Sequence, residues 1–155
     1  DEAASNFTRM PYRIYGLGME HKHVPEMTQW SGLSHPALFA PSVGRYRQGM
    51  IVEVPLQLWA LPGKPSVEDI HAALVAAYAG EKFVEVASLQ EAAGLKVLDP
   101  EGLNGSNRMR IYVFANASKA QVRLVALLDN LGKGASGAAV QNLNIMLGRD
   151  EGLGL

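Results

Sequence analysis

Two stretches of alternating residues, about 108–115 and 121–128, are joined only by Asn116-Ala117-Ser118-Lys119, and this arrangement constrains the fold more than any other feature. In the first stretch Met109, Ile111, Val113 and Ala115 alternate with Arg110, Tyr112 and Phe114. Residues two apart on a strand line the same face, so this is the pattern of a strand with two distinct surfaces. A short polar connection between two such strands predicts an antiparallel hairpin. A third alternation over 50–59 sets Val52, Val54, Leu56 and Leu58 against Glu53 and Gln57. Pro55 interrupts it, and a residue without an N–H suits a sheet edge or a bulge.

The remaining periodicity is helical or short. After the Leu61-Pro62-Gly63 turn, Ser66 is a good N-cap, with Glu68 and Asp69 in the first turn. Ile70, Ala73, Leu74, Ala77 and Tyr78 recur at helical spacing, and Gly80 ends the helix. Further strands are predicted over about 12–17 and 82–87. A short helix opens at Pro25, with Glu26 favouring its N-terminus, and Gly32 and Pro36 stop it. A last helix is predicted over about 134–147. Clustered strands with two long helices predict an α+β fold, a mainly antiparallel or mixed sheet covered by helices on one face. At 155 residues the expectation is a single domain, 1–155.

Composition narrows the partners. A formal charge of −1 gives no reason to expect nucleic acid or an anionic membrane. No stretch approaches the roughly 20 apolar residues of a membrane span, and no basic-then-apolar leader is present. The chain contains no cysteine, which excludes disulfides within it and fits a cytoplasmic protein. It begins Asp1-Glu2-Ala3-Ala4-Ser5 without an initiator Met, as expected of a trimmed product or a fragment.

Tyr15-Gly16-Leu17-Gly18-Met19-Glu20-His21-Lys22-His23-Val24-Pro25-Glu26 places two imidazoles one residue apart. If strand geometry persists there, His21 and His23 point to the same side. Three readings follow: an acid–base pair, a metal site needing a third ligand from His35, His71 or a carboxylate, or two loop histidines beside a helix start.

A second run, Asp129-Asn130-Leu131-Gly132-Lys133-Gly134-Ala135-Ser136-Gly137-Ala138-Ala139-Val140-Gln141-Asn142, follows a strand and opens a helix. Free N–H groups and Lys133 there suit an anion. The order of Lys133 and Gly134 is not that of a phosphate-binding Walker loop. Gly132, Gly134 and Gly137 match the letters of a dinucleotide fingerprint, but the unit that should follow is missing. The competing reading is that small residues let the helix pack closely. Arg45 and Arg47, in a loop, suit a carboxylate or phosphate, or simple solvation.

Taken together and in order, these runs resemble the N-acetyl-γ-glutamyl-phosphate reductase family, in its shorter bacterial branch. The matching pieces are Tyr15 with His21-Lys22-His23-Val24-Pro25-Glu26, Phe39-Ala40-Pro41, Arg47-Gln48-Gly49, Asn104-Gly105-Ser106-Asn107 and, above all, the 129–142 run. The resemblance covers the chain from about Tyr12 to Glu151.

The resemblance implies the C-terminal, substrate-binding and dimerisation domain of that family, similar to the corresponding domain of aspartate-semialdehyde and glyceraldehyde-phosphate dehydrogenases. It implies an NADP-dependent reductive dephosphorylation of an acyl phosphate in arginine biosynthesis, through a cysteine thioester. The Rossmann domain and the nucleophilic Cys are absent from this chain, so the chain alone is expected to be inactive. A non-catalytic dimerisation or ligand-binding module is the alternative. By resemblance, His21 is the acid–base imidazole, with His23 as the alternative. Tyr15 lines the pocket, Arg45 or Arg47 receives the substrate phosphate or carboxylate, and Asn130 and the Gly134 turn approach the cofactor. The expected partners are a small-molecule substrate, the Rossmann domain and further copies of the chain, a homo-oligomer formed through the sheet. An uncovered face where the Rossmann domain would sit is expected too.

Overall fold

The first strand stops sooner than its sequence suggests. In the computed structural model, which describes residues 10–155, β1 (Tyr12–Ile14) ends just before Gly16, whose φ of 65° turns the chain. The opening Asp1 to Ser5 stretch lies outside the described residues. A helix, α1 (His23–Ser31), follows, and Gly32 at φ 67° closes it in the left-handed conformation that glycine adopts at low cost. The chain then returns as β2 (Ser42–Gly44), antiparallel to β1 with Tyr12 opposite Gly44. Three residues are too few to show alternation, so β2 is silent in the sequence. These elements belong to a first compact unit that ends at Arg47.

The second unit, Gln48–Leu155, contains the larger sheet. Its elements are β3 (Met50–Gln57), α2 (Val67–Ala77), β4 (Val84–Val86), α3 (Leu89–Gly94), β5 (Met109–Asn116), β6 (Gln121–Leu128) and α4 (Gly137–Met146). Strand order is β3-β6-β5-β4. The β5–β6 pair is the hairpin expected from the alternation, with Met109 opposite Leu128 and Asn116 opposite Gln121. Both β3–β6 and β5–β6 are antiparallel and β4–β5 is parallel, so the sheet is mixed and the fold is α+β. Pro55 sits on β3 at the sheet edge, where a missing donor is tolerated.

Alternation sorts the core onto two faces. Val113 and Val122 pack with Leu58 beneath Val67, Ile70 and Leu74, so α2 covers that face. Each such side chain contributes roughly 1.5–3 kcal/mol on full burial. Tyr112, Val125 and Leu127 point the other way and pack with Leu98 and Leu103 of the connection after α3. Ser66 caps α2 as its sequence predicts: its hydroxyl accepts from the Asp69 N–H, and Asp69 accepts from the Ser66 N–H. The sheet is not fully covered. Val52 and Val54, on the α2-facing side of the edge strand β3, remain 45% and 46% exposed.

The predicted last helix divides in two. Residues Gly132–Ser136 form a π-helical turn, and the regular α4 begins only at Gly137. Close approach explains the small residues there. A Cβ on Gly132 would lie 2.6 Å from the Ser106 carbonyl, and one on Gly137 would meet Asn107 Oδ1 and lie 2.8 Å from the Gly132 carbonyl.

Candidate functional site

Sequence reasoning brings His21 and His23 together through strand geometry, and the structure does so by another route. His21 lies on the loop, where positive φ at Gly16 and Met19 folds the chain back, and His23 is the first residue of α1. The two rings nevertheless meet edge-on with centroids 4.8 Å apart. Tyr15 at 5.9 Å and Phe39 at 4.9 Å also flank the His21 ring. His21 is therefore the centre of the ring cluster and half-buried, while His23 is exposed. The His23 backbone N–H donates to His21 Nδ1 at 3.2 Å. In the neutral ring that bond leaves the proton on Nε2. Tyr15 is fixed in turn by its N–H, which donates to the Pro41 carbonyl.

Arg45 and Arg47 occupy the exposed bend that follows β2, with the Arg45 N–H donating to the Pro11 carbonyl. The other two histidines have their own surroundings. His71 Nε2 bonds the Ala87 carbonyl at 2.9 Å, a satisfied histidine within the second unit, and His35 is exposed on a loop. Among the described residues no group of three His, Asp or Glu side chains is arranged to hold a metal ion.

The 129–142 run behaves differently from an open anion cradle. Asp129 is 2% exposed and occupies the cradle from within. Its carboxylate accepts from the N–H of Leu131 at 2.8 Å, from the N–H of Gly105 at 2.8 Å and from Gln48 Nε2 at 2.9 Å, and also from the N–H of Gly132. Burial alone would raise its pKa. The backbone N–H groups of Gly105, Leu131 and Gly132, with the Gln48 amide, outweigh burial and hold the carboxyl below its ordinary value. Lys133 is turned inward as well, donating to Gln141 Oε1 at 2.7 Å. Gly134 donates its N–H to the Asp129 carbonyl at 2.9 Å, within the π-turn.

Asn130 is partly exposed and oriented. The Gly49 N–H donates to Asn130 Oδ1 at 2.7 Å, and among the described residues no group bonds its Nδ2. The amide thus presents two free donors, which fits a ligand carbonyl oxygen. A cavity of about 530 Å³ lies at the end of the sheet on the second unit, lined by Pro55, Phe114, Asn116 and Arg123 and by none of the predicted site residues.

Residues 2–130 match the family model described as "Semialdehyde dehydrogenase, dimerisation domain". The chain belongs to the semialdehyde dehydrogenase dimerisation-domain family. Curated relatives of this semialdehyde dehydrogenase domain bear the name that the motifs suggest. The N-acetyl-gamma-glutamyl-phosphate reductase of Trichormus variabilis is 56% identical over 148 residues, 94% of this chain and 46% of that protein. N-acetyl-gamma-glutamyl-phosphate reductase 2 of Nostoc sp. is 55% identical over 148 residues, with the same coverage. The N-acetyl-gamma-glutamyl-phosphate reductase of Brucella ovis is 53% identical over 147 residues, 95% of this chain and 46% of that protein. The chain therefore spans about half the length of the curated relatives it matches.

Sequence reasoning missed the polar knot made by Gln48, Gly105 and Asp129. Its one local signal is an acid placed where an apolar strand meets a glycine-rich turn. No helix among the described residues is long and apolar enough to cross a membrane.

Proposed function

We propose that this chain, 1–155 acting as one domain, is the substrate-binding and dimerisation part of a cytoplasmic, NADP-dependent N-acetyl-γ-glutamyl-phosphate reductase of arginine biosynthesis. The observation that carries the reading is identity of 53–56% to proteins of that name over some 94% of the chain. The reaction converts N-acetyl-glutamyl 5-phosphate to the semialdehyde. A cysteine outside this chain would displace phosphate to give a thioester, and the reduced nicotinamide, when bound, would be the hydride source.

This chain contributes the imidazole. His21 offers Nε2–H to the carbonyl oxygen as it gains negative charge. Full transfer of that proton needs a proton from solvent on Nδ1, which displaces the His23 N–H from that nitrogen. His21 is favoured over His23 because three rings flank it and the neighbouring N–H orients it. Tyr15 lines its pocket, and Arg45 or Arg47 receives the substrate phosphate or carboxylate. The Asn130 Nδ2 donors suit the carboxamide oxygen of NADP, with the Gly134 turn beside it; most of the cofactor is held by the Rossmann domain. Leu17, Trp30 and Leu38, at 73%, 82% and 89% exposure, supply the apolar surface that such a domain would cover. Copies of the chain associate through the sheet, with Val52 and Val54 at the contact.

The test is turnover of N-acetyl-glutamyl 5-phosphate with NADPH by the full-length protein and by its His21→Asn and His23→Asn variants. The reading expects wild-type turnover, a loss of about 100- to 10,000-fold for His21→Asn, and a loss under about tenfold for His23→Asn. Near wild-type rates for both variants overturn the acid–base assignment.

A further inference from the structure

We propose that Asp129 and Gln48 are positioning residues that hold the Asn130 amide with its NH2 group outward, making this contact selective for a ligand acceptor. The inference rests on the reading above only in taking that acceptor to be the carboxamide oxygen of the nicotinamide. It starts from an otherwise unexplained fact. Among the described residues the most buried polar side chain is a carboxylate with no cation partner, held by N–H donors.

Those donors come from three separate places in the sequence. Gln48 precedes β3, Gly105 lies in the turn before β5, and Leu131 and Gly132 open the π-turn. Asp129 therefore ties Gln48, in the segment leading into β3, to the end of β6. The next residue along each segment makes the second tie, with the Gly49 N–H donating to Asn130 Oδ1. Gln48 is held from its other side by Asn104 Nδ2, which donates to the Gln48 carbonyl at 3.1 Å.

Gly49 is packed too closely to carry a side chain, and its N–H is committed to Asn130 Oδ1. Its φ is 109°, and a Cβ there would run into the Pro100 carbonyl. The amide orientation of Asn130 follows from this. Turning it over would set NH2 against the Gly49 N–H, two donors face to face, so Oδ1 stays inward and Nδ2 outward. An outward NH2 bonds a C=O strongly and a C=S weakly. Selectivity at this point is then a property of the buried knot rather than of Asn130 alone.

The experiment compares the association constants of the full-length enzyme for NADPH and for its thionicotinamide analogue, measured by calorimetry without substrate. Wild type is expected to favour NADPH by roughly tenfold through this contact, and Asn130→Ala to abolish the preference. Asp129→Asn and Gln48→Leu are expected to abolish most of the preference while Asn130 itself is intact. Gln48→Leu, which removes one donor at a partly exposed position, decides the matter where Asp129→Asn fails to fold. A purely structural role lowers both constants equally and leaves the ratio at its wild-type value, which overturns the proposal. If Asn130→Ala also leaves the ratio unchanged, the cofactor contact itself is wrong, and the two failures are thereby told apart.

Discussion

The two polar centres of this chain are built in opposite ways. In the second unit Asp129 is buried and its acceptor sites are met by N–H groups of the same unit. In the first unit His21 sits among rings on a loop, its side chain taking one hydrogen bond among the described residues, and the helix that follows it buries no residue. One centre is closed on itself. The other is half-buried and keeps ring edges open, which is what the proposed acid–base role needs.

The contrast is broken most severely if the two centres trade roles under mutation. His21→Asn is expected to remove about 100- to 10,000-fold of turnover and to leave the thermal midpoint unchanged, since the side chain it replaces is only half-buried. Asp129→Asn is expected to cost about 2–4 kcal/mol in chemical unfolding, because an amide NH2 then faces donors that lost their acceptor. An Asp129→Asn protein as stable as wild type would show that the buried carboxylate does not hold the second unit together.

The same carboxylate gives the comparison a pH signature. Its pKa is lower in the folded protein than the roughly 3.9 of an unfolded chain, so its stabilising contribution is full above that value. The contribution is lost as pH falls through the folded pKa. The stability gap between wild type and Asp129→Asn is therefore expected to be constant near neutrality and to shrink below about pH 4, measured by urea unfolding across pH. Smaller effects refine the picture. Gly137→Ala is expected to cost about 1–3 kcal/mol, since its new methyl meets Asn107 Oδ1 and the Gly132 carbonyl. Ser66→Ala is expected to cost about 1 kcal/mol through loss of the α2 cap.

What was legible in the sequence divides along the same line. The β5–β6 hairpin and α2 were readable because their information is local: eight-residue alternation across a short turn, and a cap followed by helical spacing. The edge position of β3 was readable from Pro55. By contrast, β2 and the six-residue α3 are too short to carry a period. The Asp129 knot was invisible because Gln48 and Gly105 lie 81 and 24 residues from it in sequence. The glycine-rich run looked like an anion cradle for the right reason, its free N–H groups, but the anion that takes those of Leu131 and Gly132 is Asp129 of the chain itself. For the histidines the expected pairing occurs, although the helix start at His23 brings it about in place of a strand.

The central proposal is that this chain is one half of a reductase. Turnover of N-acetyl-glutamyl 5-phosphate with NADPH, measured for the 155-residue chain alone and for the same chain joined to the N-terminal half of the Trichormus variabilis relative, tests it most directly. The expected result is no NADPH oxidation by the chain alone and acyl-phosphate-dependent oxidation once it is joined. Turnover by the cysteine-free chain alone, or a folded joined protein that remains inactive, would contradict it.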